Sequence, residues 1–346
     1  MEEQIKKRQH YVPQMYLREW SSNGVICVKF NNKIFKSNIS SIAQERYFYR
    51  LPSLSPDEFS FVVSYLKKYN DCLFDKIKLY VESVLLPPIV VSYAEGNYEK
   101  IETVLEYVKE NQLVENNDLL VILEKISKIK DGAKFIKDCP FFNEIKKGIF
   151  NLEENINCDI ESNAKPCLES ICNDDDSFFT TQEGFESLTL YMIHQLYRTL
   201  KYLSVANDLH LHSSFTKEGS IRILAALRLP IVSRFHARLL AKRSEYGIHI
   251  FNNRTKLPFI TGDQPLVNLD ATRPVEHLDI FFPVSPKKAI LFCKNERFSP
   301  IYSWMQKADT DHIDYLKRKI CETCCKQIYS SEITCLENEN YVASYF

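Results

Sequence analysis

The chain has 346 residues, which is long for one domain and short for two large ones. Apolar residues make up 45% and charged residues 26%, values that are ordinary for a globular protein with a sizeable core. The formal net charge of −1 excludes a global field that would draw the chain to nucleic acid or to a membrane. Any such binding must therefore come from local patches.

The start of the chain, MEEQIKKRQH, is polar and lacks the apolar core of a signal peptide. The longest apolar run, VLLPPIVVSYA, is too short for a bilayer, and we expect Pro87 and Pro88 to interrupt it. We therefore expect a cytoplasmic protein with no membrane partner. The 11 cysteines are odd in number and irregularly spaced, which favours reduced thiols.

The segment HYVPQMYLREW predicts a short helix that begins at Pro13, because proline is favoured at the first helical position. Its apolar residues share one helical face, which comprises Pro13, Tyr16, Leu17 and Trp20. His10 and Tyr11 precede the helix, and Gln14 and Arg18 lie on its polar face. An imidazole, a guanidinium and a helix N-terminus in one region suit an anion such as phosphate. The alternative is that the segment packs as a plug and that His10 caps a carbonyl group.

Two β-rich runs on either side of the Asn31-Asn32 pair predict a hairpin over residues 25 to 36. A helix is predicted from Pro56 as far as the Pro87-Pro88 pair. Residues 97 to 130 indicate two further amphipathic helices.

Residues 151 to 186 contain ten acidic residues against a single basic residue, Lys165. This composition predicts a solvated loop or the edge of an insert. We place it within a helical and acidic insert over about residues 97 to 182. The alternative is that the three adjacent aspartates, Asp174 to Asp176, bind a hard cation.

The stretch EGFESLTLYMIHQLYRTLKYLS predicts a central helix that is apolar on more than one face. Gln195 and Arg198 are neighbours one turn apart on this helix. A charge in such a helix needs a partner, which Asp263 or another carboxylate could supply. The alternative is that Arg198 forms a buried structural ion pair.

Residues 217 to 256 carry nine lysines and arginines against Glu218 and Glu245. Arg234, Arg238 and Lys242 recur every four residues and so share one helical face, where they repel one another. Either acids from elsewhere, such as residues 151 to 186, neutralise this row, or an external phosphate backbone does.

Short apolar runs predict a small C-terminal sheet, followed by a last helix. In FITGDQPLV a strand ends at Asp263, a position where catalytic or metal-binding aspartates are common. The alternative is an Asx turn ahead of Pro265. The last helix contains CETCC, whose spacing is incomplete for a zinc site and favours thiols packed on a helix.

The sequence resembles the bacterial family known as domain of unknown function 4238. The resemblance lies in the His-Tyr-Val-Pro-Gln motif of residues 10 to 14 and in later stretches that include ERYFYRLP, HQLYRT, LPFITGDQPLV and IFFPVSPKKAIL. This chain departs from the family pattern at Gly262, Gln264 and Lys317, where the family tends to carry serine, asparagine and asparagine. The resemblance implies that residues of three recurring signatures meet in one pocket, namely His10, Arg198 and Asp263. It implies no established activity, although such proteins often resemble bacterial accessory or defence proteins.

We expect an α+β fold, in which a helix-dominated single domain over residues 1 to 346 has an N-terminal β-hairpin and a small C-terminal sheet. The leading hypothesis is a phosphodiester-cleaving, RNase-like effector of bacterial defence or toxin type. His10 would be the general acid or base, Arg198 would stabilise negative charge, and Asp263 would orient His10 or hold a metal.

RNA or another polyanion is the expected partner. Its predicted binding residues are Tyr11, Gln14, Arg18, Gln195, Arg234, Arg238 and Lys242. No cofactor is certain, and a divalent metal and the oligomeric state are left open. The first alternative is a non-catalytic sensor that binds a nucleotide or phage component in the same pocket. The second is a structural role, in which the motifs knit the termini together.

Overall fold

The computed structural model describes residues 4–31, 33–69, 74–115, 117–211, 213–269, 278–295, 308–337 and 339. The chain is 57% helical and contains several small antiparallel sheets, which confirms the predicted α+β class. Two compact units are present. The first comprises Met1–Lys7, Tyr49–Ile156 and Val205–Pro230, and the second comprises Arg8–Phe48, Asn157–Ser204 and Ile231–Phe346. The single domain with an insert over about residues 97 to 182 stays a prediction.

The described strands all belong to the second unit. They are β1 (Arg8–His10), β2 (Val25–Phe30), β3 (Lys33–Asn38), β4 (Gln44–Arg46), β5 (Tyr246–Asn252), β6 (Thr261–Gly262), β7 (Val267–Asn268), β8 (Asp279–Pro283), β9 (Lys288–Lys294) and β10 (Ile328–Ser330). They form an antiparallel pair β1-β4 and two four-stranded antiparallel sheets of order β3-β2-β10-β6 and β5-β9-β8-β7.

The predicted N-terminal hairpin is confirmed by the pairing of β2 with β3. Their register runs from Val25↔Asn38 to Phe30↔Lys33. Asn31 has the positive φ of 52° that the turn requires, and Asn32 lies outside the described residues. On its other edge β2 pairs with β10, so the second unit joins early and late parts of the chain in one sheet.

The described α-helices account for most of the regular structure. They are α1 (Gln14–Arg18), α2 (Pro56–Tyr69), α3 (Phe74–Tyr80), α4 (Leu86–Ala94), α5 (Ile101–Glu110), α6 (Asn117–Ser127), α7 (Gly132–Lys137), α8 (Phe142–Cys172), α9 (Gln182–Tyr197), α10 (Leu200–Ser204), α11 (Ala206–Leu211), α12 (Lys217–Ala241), α13 (Thr310–Thr323) and α14 (Thr334–Glu337). Two of them, α8 and α12, contribute residues to both units.

The prediction that Pro87 and Pro88 end a helix is wrong. After α3 the chain forms a π-helical turn, Val81–Leu85, and continues directly as α4 with both prolines in its first turn. There a missing N–H is tolerated, and the wider turn accommodates the rings that would break a regular helix. The resulting segment Lys76–Ala94 is long and apolar enough to cross a membrane by length and composition, yet 56% of its most apolar window is buried within the protein, as in a core helix.

The prediction of an acidic loop over residues 151 to 186 is also wrong for most of that range, because α8 extends to Cys172. Helical periodicity explains the helix: apolar side chains at four spaced positions are buried, namely Ile160, Ala164, Cys167 and Ile171. Six of the ten acidic residues of the range are exposed, whereas Glu153 is buried and Glu161 is half-buried. The net charge of the segment therefore reflects partly a solvated surface and partly two carboxylates that pair with buried arginines.

One fully buried ion pair stabilises the first unit. Arg228 from α12 and Glu153 from α8 have side chains that are 1% and 2% exposed. Nε of Arg228 lies 2.5 Å from Oε1 of Glu153, and Nη2 donates to Oε2 at 2.9 Å. The guanidinium also lies 5.0 Å from the centroid of the Tyr49 ring. One hydrogen bond and one close ion-pair contact therefore join two charges that are held away from water.

Candidate functional site

The N-terminal motif is anchored to the C-terminal strands through Tyr16. Helix α1 begins at Gln14, directly after Pro13, and buries Tyr16 and Leu17. The Tyr16 hydroxyl donates to the carbonyl of Pro283 at 2.6 Å and lies 2.6 Å from Oγ1 of Thr261. The ring of Tyr16 stacks on Phe282 with a centroid separation of 5.3 Å. The segment preceding α1 is therefore held in a fixed position within the second unit.

Three of the sequence motifs meet in this unit. Gln195 on α9 donates through Nε2 to the carbonyl of Tyr11 at 3.0 Å. Arg198, which caps the end of α9, donates through Nη2 to the carbonyl of His10 at 2.6 Å. The Thr199 hydroxyl donates to the side-chain oxygen of Gln264. The motifs are thus connected mainly through backbone carbonyls and side chains that lie inside the protein.

The guanidinium of Arg198 is 2% exposed, and its carboxylate partner is Glu161. Nη1 of Arg198 lies 2.6 Å from Oε1 of Glu161, which projects from α8. This geometry matches the alternative of a structural ion pair. The hydroxyl of Tyr191 is buried beside this pair, and burial, together with the Glu161 charge, raises the pKa of Tyr191.

Asp263 is 1% exposed and accepts three backbone N–H groups that follow α13. Its carboxylate oxygens accept from Cys325 at 2.9 Å, from Lys326 at 2.5 Å and from Gln327 at 3.0 Å. Burial raises the pKa of Asp263 to about 6, although the three N–H groups act in the opposite direction. Asp263 therefore holds the segment that leads into β10, and among the described contacts it does not orient His10.

Gly262 provides the close approach that this arrangement needs. A Cβ atom at Gly262 would lie 2.3 Å from Sγ of Cys324 and 2.7 Å from the carbonyl oxygen of Gln327. Both distances are far below contact, so a side chain at this position would push the two segments apart. The departure from the family serine is thus matched to the local packing against Cys324.

The imidazole of His10 is half-buried, and its Nε2 atom is shielded from solvent. Nδ1 lies 3.5 Å from Nε2 of Gln14. Burial lowers the pKa of His10, the backbone groups of Ser40 and Ile39 oppose that shift, and the positive charges of Arg198 and Arg8 add to it. His10 is therefore neutral at pH 7.

The β1-β4 sheet places two exposed arginines beside His10. The register pairs Arg8 with Arg46 and His10 with Gln44, and directly opposed residues point to the same side of a sheet. Arg8, His10 and Arg46 therefore share one face, which we call the cationic face. Glu45 points to the other side and pairs with Lys326 at 3.1 Å.

Neither arginine of the cationic face pairs with a carboxylate among the described residues. Arg46 lies over the ring of Tyr47 at 5.5 Å, and both guanidiniums are exposed. Neither Arg8 nor Arg46 was predicted as a binding residue from the sequence. In each of the segments RQH and QER, the first and third residues point to the same side of a strand. This pattern indicates a shared face only once the two segments are known to pair.

The predicted basic row lies at the end of α12. Arg238 and Lys242 are exposed, and within the described part of the chain neither is bonded to a carboxylate. Arg234 is half-buried and does have a partner. Four acids of residues 151 to 186 pair with other cations, among them Asp174 with Lys288 at 2.9 Å. The row is therefore only partly neutralised.

The remaining predicted binding residues differ in accessibility. Tyr11 is 1% exposed and packs against Phe48 with ring centroids 5.3 Å apart, and Gln195 is equally buried. Gln14 is half-buried beside His10, whereas Arg18 is exposed at the end of α1. Only the last two could touch an external ligand without rearrangement.

No group of three histidine, cysteine or acidic side chains in the described residues could hold a metal ion. The described cysteines, which include Cys321, Cys324 and Cys325, are free thiols. Burial raises the pKa of Cys321 to about 12, and the nearby carboxylate of Glu339 adds to the rise. Burial also raises the pKa of Cys324, so these two thiols are protonated at neutral pH.

The sequence model of one family, described as protein of unknown function (DUF4238), matches residues 8–333. The chain belongs to this family. The match begins at β1 and includes every residue of the three motifs that meet in the second unit. Comparison with curated proteins and with solved structures gives no match.

Proposed function

We propose that this DUF4238 protein binds a phosphodiester chain, RNA in the first instance, on the cationic face of the β1-β4 sheet. The observation that carries the proposal is the direct cross-strand pairing of Arg8 with Arg46, both exposed and neither paired with a carboxylate among the described residues. Like charges opposite each other in a sheet destabilise it. An anionic chain with regularly spaced phosphates would relieve that repulsion.

A second patch of the same sign supports a polyanion over a single phosphate group. Arg238 and Lys242 are exposed cations at the end of α12 in the same unit. A chain of phosphates can engage several such patches, whereas a mononucleotide can engage only one.

Binding without cleavage is the form of the proposal that the site chemistry favours. The guanidinium of Arg198 and the carboxylate of Asp263 are buried and occupied by Glu161 and by three backbone N–H groups. His10 alone then remains as a titratable group on the cationic face. Its Nε2 atom is shielded, so proton transfer to a substrate without movement of the ring would have to use Nδ1, which lies beside Gln14.

Phosphodiester cleavage is retained as the second candidate on one observation. His10 lies on the cationic face, and its lowered pKa makes it a neutral base at pH 7. Cleavage of end-labelled RNA by the wild type, lost in His10→Gln while RNA affinity is retained, would support the enzyme. If the RNA remains intact after prolonged incubation with the protein and Mg²⁺ or Mn²⁺, the cleavage candidate is rejected and binding without cleavage is supported.

The binding proposal is tested by fluorescence anisotropy with labelled single-stranded RNA across a salt series of about 50 to 200 mM. We expect Arg8→Gln/Arg46→Gln to weaken binding and to lower the slope of log K against log salt by about one unit for each lost contact. Arg238→Gln/Lys242→Gln should act in the same way.

The matched control is Lys33→Gln/Lys36→Gln, which removes two exposed cations from β3 of the same unit. This variant should bind as the wild type does. A wild type without salt-dependent affinity for RNA or DNA would refute the proposal. The same holds if the variants of the cationic face are indistinguishable from the control.

A further inference from the structure

The first unit exposes a concentration of large apolar side chains. Six of them fall between residues 121 and 145, namely Val121, Ile122, Ile129, Phe135, Phe141 and Ile145. Phe135 is 66% exposed and Phe141 is 69% exposed, so that about two thirds of each residue is in contact with water. The cost of exposing such rings to water is a marker of a surface that binds an apolar partner.

These side chains do not belong to an incompletely packed core. A separate set of apolar residues in the same helices is buried, namely Leu120, Leu123, Ile126, Ile136, Phe142 and Ile149. On α6 the buried residues recur every three positions, while Val121 and Ile122 point to solvent. The exposed set is therefore a second apolar surface, distinct from the one that holds the fold.

Five exposed lysines are interleaved with this apolar surface: Lys125, Lys128, Lys130, Lys134 and Lys137. In the described structure none of them forms an ion pair. Four acids lie between residues 121 and 145: Glu124 pairs with Lys109 at 3.2 Å and Glu144 with Lys147 at 2.8 Å, while Asp131 and Asp138 are exposed. The combined set of exposed apolar residues and lysines between 121 and 145 is called here the apolar–lysine patch.

We propose that the apolar–lysine patch binds peripherally to the surface of an anionic lipid bilayer. Exposed rings flanked by lysines are typical of segments that lie in the membrane interface, where rings enter the acyl boundary and lysines reach the headgroups. A protein partner is disfavoured because lysine is depleted from protein–protein interfaces, whereas here lysines are interspersed with the apolar residues.

This inference differs from the expectation of no membrane partner, which followed from the net charge and from the absence of a spanning segment. The net charge of the chain does not give the sign of the charge on one surface patch, and peripheral binding requires no membrane-spanning helix. The patch lies in the first unit, whereas the cationic face lies in the second. The two proposals can therefore be tested independently.

The test is co-sedimentation of the full chain with vesicles of phosphatidylcholine alone or mixed with phosphatidylglycerol. We expect binding to the anionic vesicles and much weaker binding to the neutral ones. Phe135→Ser/Phe141→Ser should reduce the partition coefficient by about tenfold. Lys130→Gln/Lys134→Gln should reduce it by about tenfold as well and should weaken its dependence on salt. Because these side chains are exposed, both variants should fold normally.

Two control variants match these changes at another exposed site, on β3: Phe35→Ser for the rings and Lys33→Gln/Lys36→Gln for the charges. Both should partition as the wild type does, and so should Arg8→Gln/Arg46→Gln. Absence of binding to anionic vesicles would overturn the inference. It would also be overturned if light scattering showed a dimer that the Phe135→Ser/Phe141→Ser variant converts to monomer while vesicle binding is absent.

Discussion

The buried motif residues and the cationic face lie in the same unit but differ in what their polar groups contact. Arg198 and Asp263 are almost fully buried, and their polar groups are bonded to Glu161 and to backbone groups of distant segments. Arg8 and Arg46 are exposed, and among the described residues they pair with no carboxylate.

This difference separates stability from function. A buried charge that is already paired has no capacity left for a ligand, and removing one partner leaves the other uncompensated. An exposed cation without a partner contributes little to stability and remains available to an anion. We therefore infer that the recurring motifs of this chain assemble the second unit, while ligand binding falls to residues at their margin.

The largest expected effect is the loss of the Asp263 carboxylate. Asp263→Ala leaves three backbone N–H groups of residues 325 to 327 without their acceptor, and it should cost about 3–5 kcal/mol in the free energy of unfolding. Urea denaturation measures this loss. Asp314→Ala on the exposed side of α13 is the control and should change stability by less than about 0.5 kcal/mol.

The same variant also tests whether Asp263 contributes to RNA binding. If Asp263→Ala remains folded at low temperature, its RNA affinity per folded molecule should equal that of the wild type. Unchanged stability together with lost RNA binding would contradict our account, because Asp263 would then act on the ligand.

The next effect concerns the two buried arginines. Arg198→Met should cost about 3 kcal/mol, the lower end for breaking a buried pair, because the Glu161 side chain is 21% exposed and is partly screened by water. Arg228→Met should cost more, since Glu153 is only 2% exposed and its charge would be left buried without a counterion. The double variant Arg198→Met/Glu161→Leu should recover most of the loss.

Thermal and urea unfolding of the variants measure this order. If Arg198→Met is as stable as the wild type but fails to bind RNA, Arg198 contributes to ligand binding and the motif residues cannot be assigned to assembly alone.

The sequence was sufficient for the fold class and for the meeting of the motifs, but it did not identify the contacts. The N-terminal hairpin and the buried face of α1 followed from periodicity and from turn residues. The partner of Arg198 could not be predicted in this way. Glu161 lies in a stretch whose many acidic residues obscured the helical spacing of its apolar residues. The cationic face depends on the pairing of β1 with β4, a non-local contact that three-residue strands do not specify locally.

His10 belongs both to the buried motif residues and to the cationic face, and its substitution is expected to have the smallest effect. Its carbonyl accepts from Arg198, while its ring lies on the cationic face beside Arg8 and Gln14. Because the pKa of His10 is lowered by burial, the unfolded chain binds more protons than the folded one just below pH 6.5. The contribution of His10 to stability is therefore complete above pH 6.5 and is lost as pH falls through the lowered pKa.

RNA binding should show the opposite trend. A polyanion on the cationic face favours the protonated ring and raises the pKa of His10, so affinity should increase as pH falls from about 8 to about 5. We expect an increase of about threefold, equivalent to a shift of about half a pKa unit on binding. His10→Gln keeps the backbone bond to Arg198 and should remove the RNA trend and the His10 part of the stability trend. The control His249→Gln on β5 should remove neither. If the RNA affinity of the wild type is independent of pH, the ligand does not contact the His10 ring. The RNA-binding surface would then comprise only the two arginines of the cationic face.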